Sequence, residues 1–458
     1  MAETKDRPEP PSIGSFRAAR ETLKSFDGGE SADVHLYAPD RIRFFDDTKA
    51  ATPRIARGAG LSYCAASFLS GGNTISHGAF NRVLDFDSET GEVEVEAGID
   101  LGTLYRFLAP RGRHLPCHPG YGAITVGGCV AADVHGKNHV RDGTFVRQVV
   151  GLSLFHPSHG LLDLARDKLP DLFELTCGGF GLTGHIMTVR LRTEPLNADM
   201  VERSSKECET FFQTIEQLEH VQKTSDFAYS WHDMSRPGDG FGAGIVHWGR
   251  IVPNDKGGDG KPIGRENRSS IVSRWPVRGL VGYRTTALLA KIYRAKTRRA
   301  DDSPLIPHYD AVFPIHGSER YFALFGMRGF HEAQWLFPKE NLDAVIAHLE
   351  GAVRNNRLAI ALASAKVFDD DVSLLRYSGK GISLAINLPR SPNSSRALAD
   401  LDRLMLTIGG RPNLIKDGRL SAKVVEDSCP DIGVFRQRLK DFDPDRVFRS
   451  ELSERLAL

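Results

Sequence analysis

The chain lacks the features that would place it in several large classes. No apolar run approaches the roughly 18 uninterrupted residues of a membrane-spanning helix, so no transmembrane segment is expected. The N-terminal MAETKDRPEPPSIGSF has no apolar centre of the kind a secretory signal needs. It mixes acids, bases and prolines, so residues 1–14 are expected to be disordered and the chain to be cytoplasmic. Charge of one sign is also missing. Lys and Arg number 59 against 58 Asp and Glu, a formal net charge of +1, which speaks against a nucleic-acid-binding surface. The six cysteines (Cys64, Cys117, Cys129, Cys177, Cys208, Cys429) show no C-x-x-C pair and no metal-ligand spacing. They read as free thiols of a reducing compartment, and no metal site is expected.

Glycine, by contrast, is gathered in three places. The densest is Pro119 to His139, PGYGAITVGGCVAADVHGKNH, with Gly120, Gly122, Gly127, Gly128 and Gly136. A residue without Cβ lets the backbone approach a ligand closely, and successive free N–H groups in such turns can cradle a pyrophosphate. Upstream lies Arg57-Gly58-Ala59-Gly60-Leu61-Ser62-Tyr63, and downstream Gly178-Gly179-Phe180-Gly181-Leu182-Thr183-Gly184. The first cluster is not a Rossmann fingerprint. That motif needs a further glycine where Tyr63 stands, then a helix and an acidic residue about 20 positions on.

The order R-G-x-G-x-S-Y, then P-G-x…T-V-G-G, then G-G-x-G-x-x-G resembles the FAD-binding domain of the vanillyl-alcohol-oxidase superfamily. Within it, T-V-G-G-C-V-A-A-D-V-H-G-K-N-H, G-G-F-G-L-T-G-H-I-M and Leu414-Ile415-Lys416-Asp417 resemble the decaprenylphosphoryl-β-D-ribose 2′-oxidase family. The resemblance implies an α+β flavoprotein of two domains. An FAD-binding domain would span 15–195, a substrate or cap domain 196–410, and a segment 411–458 would return to the flavin. It also implies FAD contacts from Arg57, Gly58, Ala59, Gly60, Leu61, Ser62, Tyr63, Gly120, Thr125, Val126, Gly127, Gly128, Ala132, His135, Gly136, Gly181 and Ile186. Some superfamily members bind flavin covalently through a histidine at the Leu61 position, so non-covalent FAD is expected here.

Local patterns fit that layout. Val83–Asp87 and Glu92–Ala97 mostly alternate in period two around Ser88-Glu89-Thr90-Gly91, a hairpin signature. Apolar residues 101, 104, 107 and 108 have helical spacing, as does Leu342 to Val353. A strand is expected from Ile186 to Leu191. Ser273 to Ala300 stands apart. Arg274, Arg278, Arg284, Lys291, Arg294, Lys296, Arg298 and Arg299 occur there without an acidic residue, interleaved with Trp275, Leu280, Val281, Tyr283, Leu288, Leu289, Ile292 and Tyr293. Such a stretch suits an anionic membrane surface, or else a solvated helix packed on the cap. The Asn254–Arg268 run reads as a mobile loop.

In a flavin oxidase the cofactor carries the redox step and the protein supplies position and electrostatics. By the resemblance, Lys416 and His135 are the candidate catalytic residues. His139 is expected at the surface or behind the first contacts. Lys137 is a point charge suited to a substrate phosphate. Trp231, Glu332, Gln334 and Lys366 are candidate substrate contacts. The chain departs from the family in that region: Ala385 replaces a cysteine, Glu332 a glutamine and Asn413 a tyrosine. Three functions stay open on the sequence. One is oxidation of a polyprenylphosphoryl ribose at its 2′-hydroxyl, with a separate nicotinamide-dependent keto-reductase as partner and a peripheral contact at the inner membrane face. The second is a soluble sugar, alditol or aldonolactone oxidase. The third is a non-enzymatic scaffold in glycan assembly.

Overall fold

The computed structural model describes residues 12–13, 16–47, 52–198, 200–252, 279–300 and 305–458. Residues 1–11 and 14 of the expected disordered start, the Asn254–Arg268 loop and the Arg274, Trp275 and Arg278 part of the basic stretch lie outside them; Ser12–Ile13, expected to be disordered, pair as a strand with Phe16–Arg17.

The architecture is α+β, built on three larger sheets. A four-stranded sheet runs Ala19–Lys24, Ser31–Tyr37, Asn73–Ser76, Arg54–Arg57. Its last two junctions are parallel and lead directly into the first glycine cluster. A five-stranded antiparallel sheet runs Gly160–Ala165, Val149–His156, His185–Arg192, Glu92–Glu96, Val83–Phe86. It contains the expected hairpin, with Val83 opposite Val95. Helix Leu101–Leu108 packs on this sheet through Leu101, Leu104 and Leu108, and Asp100 caps it by accepting from Thr103 N at 2.8 Å.

The third sheet has eight strands. Their order is Leu305–Pro307, Met200–Cys208, Gly244–Val252, Phe227–His232, Leu362–Asp369, Lys380–Pro389, Phe330–Phe337, Arg411–Pro412. Side chains alternate across a strand, and here the alternation separates two chemistries. Ala333, Trp335, Ala363, Ala365, Leu384 and Ile386 face a large apolar core shared with helices Phe211–Val221, Leu342–Asn356 and Pro392–Thr407. Glu332, Gln334, Ser364, Lys366, Ser383 and Asn387 lie on the opposite face, paired Glu332–Asn387, Gln334–Ala385, Lys366–Ser383 and Ser364–Ala385.

The C-terminal tail closes onto the first sheet. Arg54 N donates to Val447 O and Arg449 N to Arg54 O. All six cysteines are buried and unpaired.

Candidate functional site

The glycine segments interlock. Strand Arg54–Arg57 opens into residues 58–63, and among the described residues none of the backbone N–H groups of 58–63 donates a hydrogen bond within the protein. Gly60 has φ +69°, a left-handed conformation that glycine adopts without strain. A Cβ on Gly58 would stand 2.2 Å from Thr125 Oγ1. Thr125 in turn caps helix Val126–Ala132 by accepting from Gly128 N. Gly127 lies so close to Ala97 that a Cβ would come within 3.0 Å of the Ala97 carbonyl oxygen. The third segment clamps the end of this helix, with Gly178 N donating to Val130 O and Phe180 N to Ala131 O. Gly181, at φ +77°, faces Ile55.

These residues fit FAD. A run of free N–H groups suits its pyrophosphate, and the missing β-carbons let the backbone come close to it. The Arg57 guanidinium lies against Gly60 and donates to Ser67 Oγ at 2.8 Å. Ile186 is buried in the strand His185–Arg192, in the same core as Val126 and Cys129.

Beyond Ala132 the chain turns at Asp133, whose φ of +41° is held by buried bonds from Thr144 Oγ1 and Val146 N to its carboxylate. That turn delivers His135 onto the polar face of the eight-stranded sheet. Gln334 Nε2 lies 3.0 Å from His135 Nε2 and donates to it, and also donates to Ser383 Oγ at 3.1 Å. The Gln334 oxygen accepts from Asn413 Nδ2 at 2.9 Å. With its Nε2 accepting, His135 carries its proton on Nδ1, which faces the Gly136 carbonyl at 3.2 Å. Lys366 Nζ stands 3.4 Å from that Nδ1. Burial and the Lys366 charge hold His135 far below the usual histidine range.

Asn413 also builds the Lys416 turn. Its N–H donates to Gln334 O, and Lys416 N donates to Asn413 O. The Cys64 thiol donates to Leu414 O, joining this turn to the first glycine segment. Lys416 Nζ sits 3.8 Å above the Tyr63 ring and 3.1 Å from Glu332 Oε1. Glu332 Oε2 accepts from Asn387 Nδ2 at 2.8 Å. Burial, then the Glu332 charge, push the Tyr63 hydroxyl well above its ordinary range. Asp417, the neighbour of Lys416, is engaged by Arg419.

Lys366 and Lys137 are short of anions. Burial and the Lys416 charge bring Lys366 down to about 8; burial and Lys366 bring Lys137 to about 7. Lys137 Nζ donates to Ala311 O and lies over the Phe227 and Tyr229 rings. Neither lysine has a carboxylate ion partner among the described residues.

The structure thus brings Tyr63, His135, Glu332, Gln334, Lys366 and Lys416 together, with Lys137 at the border. Trp231 shares its strand face with Phe227 and Tyr229, the rings under Lys137, and is buried against Leu362, Ala290 of helix Tyr283–Ala300 and Tyr293, at 4.6 Å between ring centres. His139 is not at the surface: it is buried, stacked on Phe368 at 3.6 Å. Sequence reasoning passed over Ser383, Asn387 and Tyr377, whose hydroxyl meets Ser383 Oγ at 2.9 Å. A signal was present. In ISLAINL and LASAK every second residue is apolar and Ser383, Asn387, Ser364 and Lys366 fall between, the pattern of a strand with one wet face. Among the described residues, no group of His, Cys, Asp and Glu is arranged to hold a metal ion.

Residues 46–164 match the model of an FAD binding domain. Over 414 residues the chain is 26% identical to the decaprenylphosphoryl-beta-D-ribose oxidase of Mycolicibacterium smegmatis, covering 88% of this chain and 89% of that one. An uncharacterized protein of Streptomyces coelicolor is 26% identical over 79% of the chain and all of its own length. Mouse L-gulonolactone oxidase is 30% identical over 36% of the chain. With the unpaired N–H run of residues 58–63, these similarities show that the chain is an FAD-dependent oxidoreductase acting on CH–OH groups, similar over most of its length to decaprenylphosphoryl-β-D-ribose oxidase.

Proposed function

We propose that the chain oxidises the 2′-hydroxyl of a polyprenylphosphoryl pentose, ribose in the first place, to the 2′-keto sugar. The observation that carries this reading is the pair of anion-poor lysines, Lys137 and Lys366, flanking His135 on the polar sheet face. A buried ammonium without a carboxylate is costly, and a substrate phosphate would relieve that cost at both. Bound FAD supplies the hydride acceptor. Lys416 holds the reacting oxygen and steadies charge that develops on it. His135, fixed by Gln334, orients the sugar, and the cap sheet screens the site from water. The keto product then needs a separate nicotinamide-dependent reductase to give the arabino epimer.

Helix Tyr283–Ala300 suits a lipid-linked substrate. It contains no acidic residue. Thr286, Ala290 and Tyr293 face the protein, while Leu288 and Ile292, at 59% and 55% exposure, stand one turn apart beside exposed Arg284 and Lys291. We assign this outer face to an anionic bilayer surface. No helix among the described residues is long and apolar enough to cross a membrane.

A soluble sugar or aldonolactone oxidase is the second reading, and its neutral substrates would leave Lys137 and Lys366 without a counter-charge. Initial rates with a dye acceptor separate the two. Turnover of polyprenylphosphoryl ribose, with free ribose, alditols and aldonolactones inert, supports the first. Turnover of the free sugars alone overturns it.

A further inference from the structure

Lys416 and Glu332 form a donor and an acceptor side by side at the centre of the site, and both keep capacity to spare. The ammonium has three N–H donors and the carboxylate about four acceptor positions. Within the protein Lys416 Nζ meets Glu332 Oε1 at 3.1 Å and the Tyr63 ring, and the carboxylate otherwise receives Asn387 Nδ2. Asn387 is itself oriented, since Tyr321 Oη donates to its Oδ1 at 3.3 Å. Glu332 is 8% exposed and on the same sheet face as Gln334. The carboxylate is therefore fixed from the protein side by Asn387, with its other oxygen next to Lys416. The gap between Nζ and Oε1 is close to that of two hydrogen-bonded oxygens, roughly 2.8 Å, which neighbouring gauche hydroxyls of a sugar ring also approach.

We propose that Lys416 and Glu332 together read a vicinal diol. Lys416 Nζ donates to the oxygen that is oxidised, and Glu332 Oε1 accepts a hydrogen bond from the hydroxyl on the next carbon. Glu332 is then a specificity-determining residue. In a 1-phosphorylated pentose oxidised at the 2′ position, which is the reading this inference rests on, that neighbour is the 3′-hydroxyl. A substrate without it leaves a buried carboxylate facing carbon, a loss that binding sites built around a hydroxyl penalise heavily.

The test is a cycle of two ligands and two proteins. The ligands are non-oxidisable 2′-fluoro analogues of polyprenylphosphoryl ribose, with and without the 3′-hydroxyl, and the readout is Kd by calorimetry on FAD-loaded protein. The wild type is expected to prefer the 3′-hydroxy ligand by roughly 10- to 100-fold, the worth of one hydrogen bond to a charged acceptor. Glu332→Ala is expected to bring that ratio near unity. Glu332→Gln keeps the shape and one acceptor oxygen, so it should give an intermediate ratio and guards against a misfolded alanine variant. Flavin reduction by the oxidisable pair should show the same pattern in kcat/KM. Equal binding of both ligands by the wild type, or an unchanged ratio in Glu332→Ala and Glu332→Gln, overturns the inference alone. If neither ligand binds and neither oxidisable form reduces the flavin, the pentosyl-lipid reading falls and takes this inference with it.

Discussion

The Gln334 carboxamide donates to His135 Nε2 across 3.0 Å, and through this bond the eight-stranded sheet takes hold of the turn that leaves the glycine helix. The carboxamide cannot rotate freely, because its oxygen accepts from Asn413 and its second N–H reaches Ser383. Gln334→Leu keeps the volume but frees the imidazole. It should lower kcat/KM by about 100-fold, the scale of a misplaced reacting group, while FAD content stays that of the wild type. Flavin-to-protein ratio and steady-state rates check both halves.

The cradle makes a separate prediction. A Cβ at residue 58 meets Thr125 Oγ1 at 2.2 Å but Thr125 Cβ only at 3.2 Å. Gly58→Ala should therefore lose FAD on purification and yet fold, and adding Thr125→Ala should restore part of the FAD. Flavin absorbance per protein and far-UV circular dichroism report the two effects.

Lys366 illustrates a stability–function conflict. Its amine is held at about 8 by burial and by Lys416, so its charge is carried at a cost near neutral pH. Because the folded value is below the unfolded one, that cost is complete below pH 8 and disappears as pH rises towards the ordinary lysine value. Lys366→Met should raise the melting temperature of the FAD-loaded protein at pH 7 by a few degrees, as relief of roughly 1 kcal/mol would, and weaken substrate binding. The gain in Tm should shrink by pH 10.

The same shifts set a pH dependence for binding. Lys137 loses its proton near pH 7 and Lys366 near pH 8. KM for the phosphorylated substrate should climb as pH rises from 6.5 to 9, whereas Kd for an uncharged pentose fragment should change little. A flat KM across that range would remove the lysines from phosphate recognition.

Helix Tyr283–Ala300 offers a fifth check. Leu288→Ser with Ile292→Ser should weaken co-sedimentation with vesicles containing phosphatidylglycerol, leaving flavin content intact. Equal binding to neutral vesicles before substitution would contradict the electrostatic part of the surface.

Much of this site was legible in the chain. The glycine clusters around 58–63, 120–136 and 178–184 state their chemistry locally, because free N–H groups and missing β-carbons are properties of a few consecutive residues. His135, Lys366, Gln334 and Lys416 came from resemblance, and the fold shows why spacing alone did not reveal them: two strands of one sheet, the turn after the glycine helix and one late turn meet there. Trp231 lies on the polar-face side of its strand and also carries helix Tyr283–Ala300, a double contact that no local sequence pattern announces. His139 reads as polar in the string H-G-K-N-H, yet stacking on Phe368 buries it. The Asn413–Gln334 bond was invisible, since neither residue's position suggests the other.

The central claim is that these residues bind FAD and pass it a hydride from a pentosyl lipid. The most direct measurement is the absorption spectrum of the purified protein, followed anaerobically as polyprenylphosphoryl ribose is added. The account predicts an oxidised flavin band that bleaches, with intact FAD released on denaturation and no bleaching in Lys416→Ala. A flavin band that stays oxidised at saturating lipid would contradict the proposed substrate, and a protein that takes up no FAD on reconstitution would contradict the reading of the glycine cradle itself.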